Sequence, residues 1–175
     1  MATNLQFVKE TINDTYRATT ISVTDCFTTN YKVYAIIVNG YTYNSTAYQV
    51  DVRLIDNSGS VISGSEYEYA WLQLRSNATY NENKSTSATN WDRPFCTADL
   101  LPESNQGIMY LYNPADSSSY TFATSQGASM NGSGSLRGSK FIGVHKSAEE
   151  ITGIQIYASA NIFEVGTSIK VYGVK

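Results

Sequence analysis

A single histidine and two cysteines are a thin supply of metal-binding and nucleophilic side chains for 175 residues. His145 closes the segment Lys140-Phe-Ile-Gly-Val-His145, and one imidazole cannot assemble a multi-histidine metal site, so a structural role is expected of it. Cys26 and Cys96 allow one disulfide, but nothing in their spacing demands it; each reads as a small buried apolar side chain. Charge is scarce too, at 15% of residues, with 12 basic against 15 acidic side chains. A surface so poor in clustered Lys and Arg excludes a nucleic-acid backbone as partner. No apolar run approaches the roughly 20 residues of a membrane span, so no membrane partner is expected. The start, Met1-Ala-Thr-Asn-Leu-Gln-Phe7, lacks a charged stretch followed by an apolar one. No signal peptide is expected, and the chain is expected to fold in a cytosol. On that basis the five Asn-X-Ser/Thr sequons at Asn13, Asn44, Asn77, Asn83 and Asn131 are products of a composition rich in Asn, Ser and Thr.

Catalytic motifs are approached and missed. Gly127-Ala-Ser-Met-Asn131 has Asn where a nucleophile elbow needs its second Gly, and no helical pattern follows. Gly132-Ser-Gly-Ser-Leu-Arg-Gly138 is one residue off the dinucleotide fingerprint and opens no helix either. Glu66 and Glu68 share a strand face by the period of two, yet adjacent acids on a solvated strand are commoner than a glycosidase pair. Asp56-Asn-Ser-Gly59 lacks the alternating acids and distal Glu of a calcium loop. No enzyme, no cofactor and no metal are expected.

What the chain has is Tyr, 14 of them, set among Ser, Thr and Asn. Tyr and Thr favour strands, and Tyr suits half-buried surfaces and contacts with partners. Strand patterns succeed one another: Leu5 and Phe7, Thr19 to Thr24, Tyr31 to Val38 running into Asn39-Gly40, and Tyr48 to Leu54. Tyr67, Tyr69 and Trp71 share one face of a further strand, with Ala70, Leu72 and Leu74 on the other. Gly107 to Tyr112, Tyr120 to Ala123 and Lys140 to His145 follow, before a closing pair around Ile154/Ile156 and Ile169/Val171. The last of these locks the C-terminal residues into a sheet. No window carries a sustained 3.6-residue apolar period with caps, so helix is expected to be absent or one turn long. About ten short strands predict one all-β domain over 1–175, an antiparallel β-sandwich of jelly-roll type. Residues 1–28 form an N-terminal arm or the first strands. Residues 76–93 and 124–139 show no strand pattern and are expected as long loops, where function or mobility concentrates.

Tyr31-Lys-Val-Tyr34, Val52-Arg-Leu-Ile-Asp-Asn-Ser-Gly59 with Tyr67-Glu-Tyr69, Gly107-Ile-Met-Tyr-Leu-Tyr-Asn113, and Gly153-Ile-Gln-Ile-Tyr157 with Gly166-Thr-Ser-Ile-Lys-Val-Tyr-Gly173 stand in an order that covers nearly the whole chain. With Asn4-Leu-Gln-Phe-Val-Lys9 and Val23-Thr-Asp-Cys-Phe27, this order resembles a group of small virion structural proteins of tailed bacteriophages. The resemblance implies a jelly-roll domain in the virion, without catalytic residues. Its most direct implication is a capsid cement (decoration) protein on the outside of the head, with the major capsid protein as partner and a homotrimer by analogy with local symmetry axes. A tail or fibre component is the alternative. From a different class comes a carbohydrate-binding module, with Trp91, Tyr80 and Arg93 at a polar loop as candidate contacts for a glycan or protein partner, although the role expected first of Trp91 is an anchor that packs the loop back onto its own sheet.

Overall fold

The computed structural model describes residues 4–41, 49–77, 79–95, 105–130 and 134–175. Eleven strands lie among the described residues: β1 (Leu5–Ile12), β2 (Thr20–Val23), β3 (Val33–Tyr41), β4 (Val50–Asp56), β5 (Tyr67–Arg75), β6 (Asn81–Ala88), β7 (Asn105–Tyr112), β8 (Thr121–Met130), β9 (Leu136–His145), β10 (Ile151–Ala158) and β11 (Ser168–Val174). The described residues contain no helix. Eight strands form one antiparallel sheet in the order β1-β11-β3-β7-β8-β9-β5-β6, and three form a second, β2-β10-β4. The chain is a β-sandwich, as its alternation requires.

The strand order explains the jelly-roll wrapping. Along the chain β1, β2, β3 and β4 alternate between the large and small sheets, and β7, β10 and β11 complete two four-place layers. The fourth place beside β4 is taken by Trp91, whose backbone exchanges two hydrogen bonds with Val52 (2.9 and 3.0 Å). Two insertions, β5–β6 and β8–β9, then extend one layer sideways: β8 pairs with β7 and β9, and β9 with β5. The closing pair do not pair with each other. β10 is the centre of the small sheet, whereas β11 lies between β1 and β3 in the large one.

The core lies between the layers. Tyr34, Ile36 and Val38 of β3, Met109 and Leu111 of β7, and Ile169 and Val171 of β11 face Val52, Leu54, Ile154 and Ile156. Tyr67 stitches the layers: its hydroxyl accepts from the Leu54 N–H (3.0 Å) and donates to the Ile62 carbonyl (3.1 Å). Cys26 is a buried thiol, its pKa pushed up to about 12 by burial, as expected of a small core side chain. The possible pairing with Cys96 lies outside the described residues, as do the sequons Asn44 and Asn131. Asn13 is buried, its amide donating to the Phe163 carbonyl at 2.8 Å, which bars a glycan there.

Of the two readings of residues 1–28, the described residues 4–28 carry the first strands, β1 running beside β11 and β2 beside β10. Three expectations need correction. Asn39-Gly40 does not turn the chain; β3 continues to Tyr41 through a bulge, with Gly40 at φ +88° supplying the left-handed residue. Residues 76–93 contain β6, an edge strand exposed on both faces and held by its backbone ladder to β5, so no apolar alternation marks it. Its polar side chains suit an uncovered edge. Residues 124–139 are largely the long hairpin arms of β8 and β9, whose inner positions are small or hydroxylated (Ser125, Gly127, Ser129, Ser139). Ser129 is therefore a buried mid-strand residue and no nucleophile elbow.

Candidate functional site: an uncovered sheet face

The large sheet has two faces and the small sheet covers only one. Register carries a row of side chains across the other face from edge to edge: Phe7, Tyr172, Ala35, Tyr110, Thr124, Ile142, Ala70 and Lys84. A second row runs Leu5, Val174, Val33, Tyr112, Phe122, Val144, Glu68. Ile142 is 62% exposed, Phe7 57% and Phe122 49%. Phe7 and Tyr172 meet edge to face at 5.8 Å, and Ala35 is fully buried between its two Tyr neighbours. A third row is charged at both flanks: Glu10 pairs with Lys170 at 3.5 Å, and Lys140 and Glu82 flank Leu72. Over β5 and β9 the face forms a groove of about 670 Å³, floored by Ala70, Ile142 and Val144 and rimmed by Glu68, Lys84 and Phe122. Scattered surface apolar residues need no explanation, but contiguous ones mark contact surfaces.

The three residues expected at a polar loop separate. Trp91 is fully buried, which agrees with an anchor that packs its segment onto the sheet and removes it as a surface contact. Its ring lies edge-on to Tyr67 (5.6 Å) and Phe141 (6.0 Å), and its indole N–H donates to the Val144 carbonyl at 3.3 Å. The polar residues around it in sequence hid a core position that a strand-like bridge to β4 creates. Tyr80 is exposed, just before β6. Arg93 is half-buried, its backbone at φ +49° and its guanidinium 5.1 Å from the Trp71 ring centroid.

Arg93 belongs to a cluster that the sequence did not reveal. Its backbone N–H donates to Asp51 Oδ1 (3.3 Å) and its Nε pairs with Asp92 Oδ1 (3.4 Å). Asp92 Oδ2 accepts from Trp71 Nε1 (3.0 Å) and Asn83 Nδ2 (3.1 Å). Burial first, and then the charge of Asp92, raise the Asp51 pKa from an ordinary 3.8 to about 7. Between those values the folded chain holds a proton that the unfolded chain has released, so stability declines as pH rises through that window. Denaturant unfolding at pH 5 and pH 8 is expected to differ by on the order of 2 kcal/mol from this source. Asp51→Asn should flatten that difference, and an unchanged slope in the variant refutes the assignment. The cluster locks the segment after Trp91 in place, and its carboxylates already have their donors.

Glu66 and Glu68 part company as well. Glu68 Oε2 takes Lys146 Nζ at 3.1 Å on the outer side, while Glu66 Oε2 meets His145 Nε2 at 3.3 Å. The two carboxylates thus have separate partners.

Sandwich fold and open face together define an all-β module that, among the described residues, exposes apolar side chains across one face of its large sheet. No family model matches the chain, and no curated protein matches it. Among solved structures, it is set beside that of the infectious bursal disease virus Gx strain, at 10% identity and a TM-score of 0.15, covering 99% of this chain and 38% of that one. A VP2 subviral particle of infectious bursal disease virus gives 10% identity and a TM-score of 0.15, over 96% of this chain and 40% of that one. The chain spans about two-fifths of the length of these proteins. Similarity at that level carries no argument about fold or function.

Proposed function

We propose that this chain is a non-enzymatic structural protein of a bacteriophage virion, a cement protein that joins neighbouring major capsid subunits on the outside of the head. The observation that carries the adhesive part is the uncovered face of the large sheet, where Phe7, Tyr110, Phe122 and Ile142 stand exposed in adjoining rows. The virion assignment rests on the resemblance in segment order. Burying such a face between subunits adds apolar area to each contact and so resists separation of the shell. The charged flanks, Glu10–Lys170 on one side and Lys140 with Glu82 on the other, set orientation rather than affinity.

Added to empty heads lacking it, the protein is expected to bind at an icosahedral multiple and raise the temperature at which they come apart. Ile142→Glu is expected to abolish that binding while the variant's own stability stays within about 0.5 kcal/mol, because the side chain is exposed. Undiminished binding by Ile142→Glu removes the sheet face from the proposal. No binding to heads by the parent protein, with a handful of copies in tails, makes it a tail component instead.

A further inference from the structure

Glu66, His145 and Glu149 bring one nitrogen and two carboxylate oxygens within 4.8 Å of one another. They come from the turn before β5, the last residue of β9 and the connection that follows it. His145 Nε2 stands 3.3 Å from Glu66 Oε2 and 3.7 Å from Glu149 Oε1. Two donors bound at about 2.0–2.1 Å in a tetrahedral shell are separated by about 3.3 Å. The nitrogen-to-oxygen spacings already approach that of a metal's ligands.

We propose that these three side chains bind a first-row divalent transition ion, zinc being the natural probe, as a clamp on one end of the sandwich. The expectation that a lone histidine makes no metal site holds only for multi-histidine shells; an imidazole with two carboxylates is a complete set of protein ligands with room for water. Four observations support the site independently of the adhesive reading. His145 is fully buried, and its backbone is paired on both sides, with Tyr67 and Thr121, so its ring direction is fixed. The Lys146 N–H donates to the Glu66 carbonyl at 2.8 Å, tying the first carboxylate's segment to the histidine's. Among the described residues neither Glu66 nor Glu149 has a Lys or Arg partner, the nearby Lys146 being engaged by Glu68. His145 is thus the sole basic side chain paired with either carboxylate among the described residues.

The fourth observation is the histidine's other nitrogen. Nδ1 is buried without a hydrogen-bond partner, and so is the hydroxyl of Thr121 directly across on β8. In the tautomer with the proton on Nδ1, the Nε2 lone pair is turned to the two carboxylates, where a bound cation offsets their repulsion. Both carboxylate side chains are partly exposed, 44% and 32%, which leaves an entry path.

The test is calorimetric titration of the EDTA-treated full chain with zinc chloride at neutral pH, with thermal melting alongside. One equivalent is expected to bind, with a melting point several degrees higher at 100 µM zinc. Glu66→Gln and Glu149→Gln are each expected to weaken binding at least tenfold, while Glu68→Gln leaves it unchanged. Cobalt(II) should give visible absorption of four-coordinate intensity in the parent protein and lose it in Glu66→Gln. No zinc binding at 100 µM overturns the proposal, as does binding that both Gln variants retain. A simple imidazolium–carboxylate pair is the outcome if Glu66→Gln lowers stability in EDTA and zinc moves nothing, and that too overturns it.

Discussion

Trp91→Ala is expected to cost about 3–5 kcal/mol, the range for truncating a large buried aromatic. In a domain of this size each kcal/mol shifts Tm by about 2–4 °C, so the melting point should fall by roughly 6–20 °C. The size of the effect follows from how many elements the indole joins. It sits fully buried between layers, edge-on to Tyr67 and Phe141, and its N–H satisfies the Val144 carbonyl of β9. Its backbone simultaneously fills the place beside β4. Phe is the informative second substitution: it keeps the ring contacts and loses the bond to Val144, and should cost much less than Ala. Urea unfolding of both variants measures this, and a loss under 1 kcal/mol for Ala shows that the indole is not a core residue. A sugar-stacking role predicts the opposite pattern, intact stability with lost binding.

Gly153→Ala is expected to destabilise by about 1–3 kcal/mol or more, the cost of forcing atoms into a packed interior. A methyl group placed there meets the Val23 carbonyl oxygen at 2.6 Å and Thr24 Cα at 3.0 Å. Both are backbone atoms, so no side chain can swing aside. The crowding has a local origin: β10 bulges against β4 between Ile151 and Gly153, and the Thr152 carbonyl accepts from the N–H groups of Cys26 and Phe27. The chain leaving β2 is thereby drawn across the glycine. Gly59→Ala offers the contrast, because no atom lies within 4 Å of its added methyl and only its φ of +82° resists. Melting curves of the two variants compare crowding with backbone strain; if Gly153→Ala melts with the parent protein, the close approach is absent in solution.

Alternation made the central strands legible. Val50, Val52 and Leu54 of β4, Tyr67, Tyr69 and Trp71 of β5, and Ile169 and Val171 of β11 all face inward as their spacing requires. Where apolar character does not alternate, the sequence was silent: β6 is exposed on both faces, and the inner positions in the second half of β8 are Ser125, Gly127 and Ser129. Ile142 and Phe122 could be read as outward-facing strand residues, but the rows they join depend on register with strands far away in sequence. The same holds for Asp51 with Asp92, and for Glu66 with His145: each pair meets only because insertion β5–β6 folds back beside β9 and the small sheet. Trp91 left two readings open in the sequence, surface contact or anchor, because polar neighbours surround a side chain that tertiary pairing takes into the core.

The position of β11 has a kinetic consequence. β1 finds its sole sheet neighbour in a strand about 160 residues further along, and β3 takes the same strand on its other side. Closing so large a loop delays native pairing, placing this topology among the slow folders, with refolding on the millisecond-to-second scale. Until that last strand slots in, two long strands, Leu5–Ile12 and Val33–Tyr41, wait with open edges, and any other extended chain can take its place. The molecule's greatest hazard is therefore a sibling's tail.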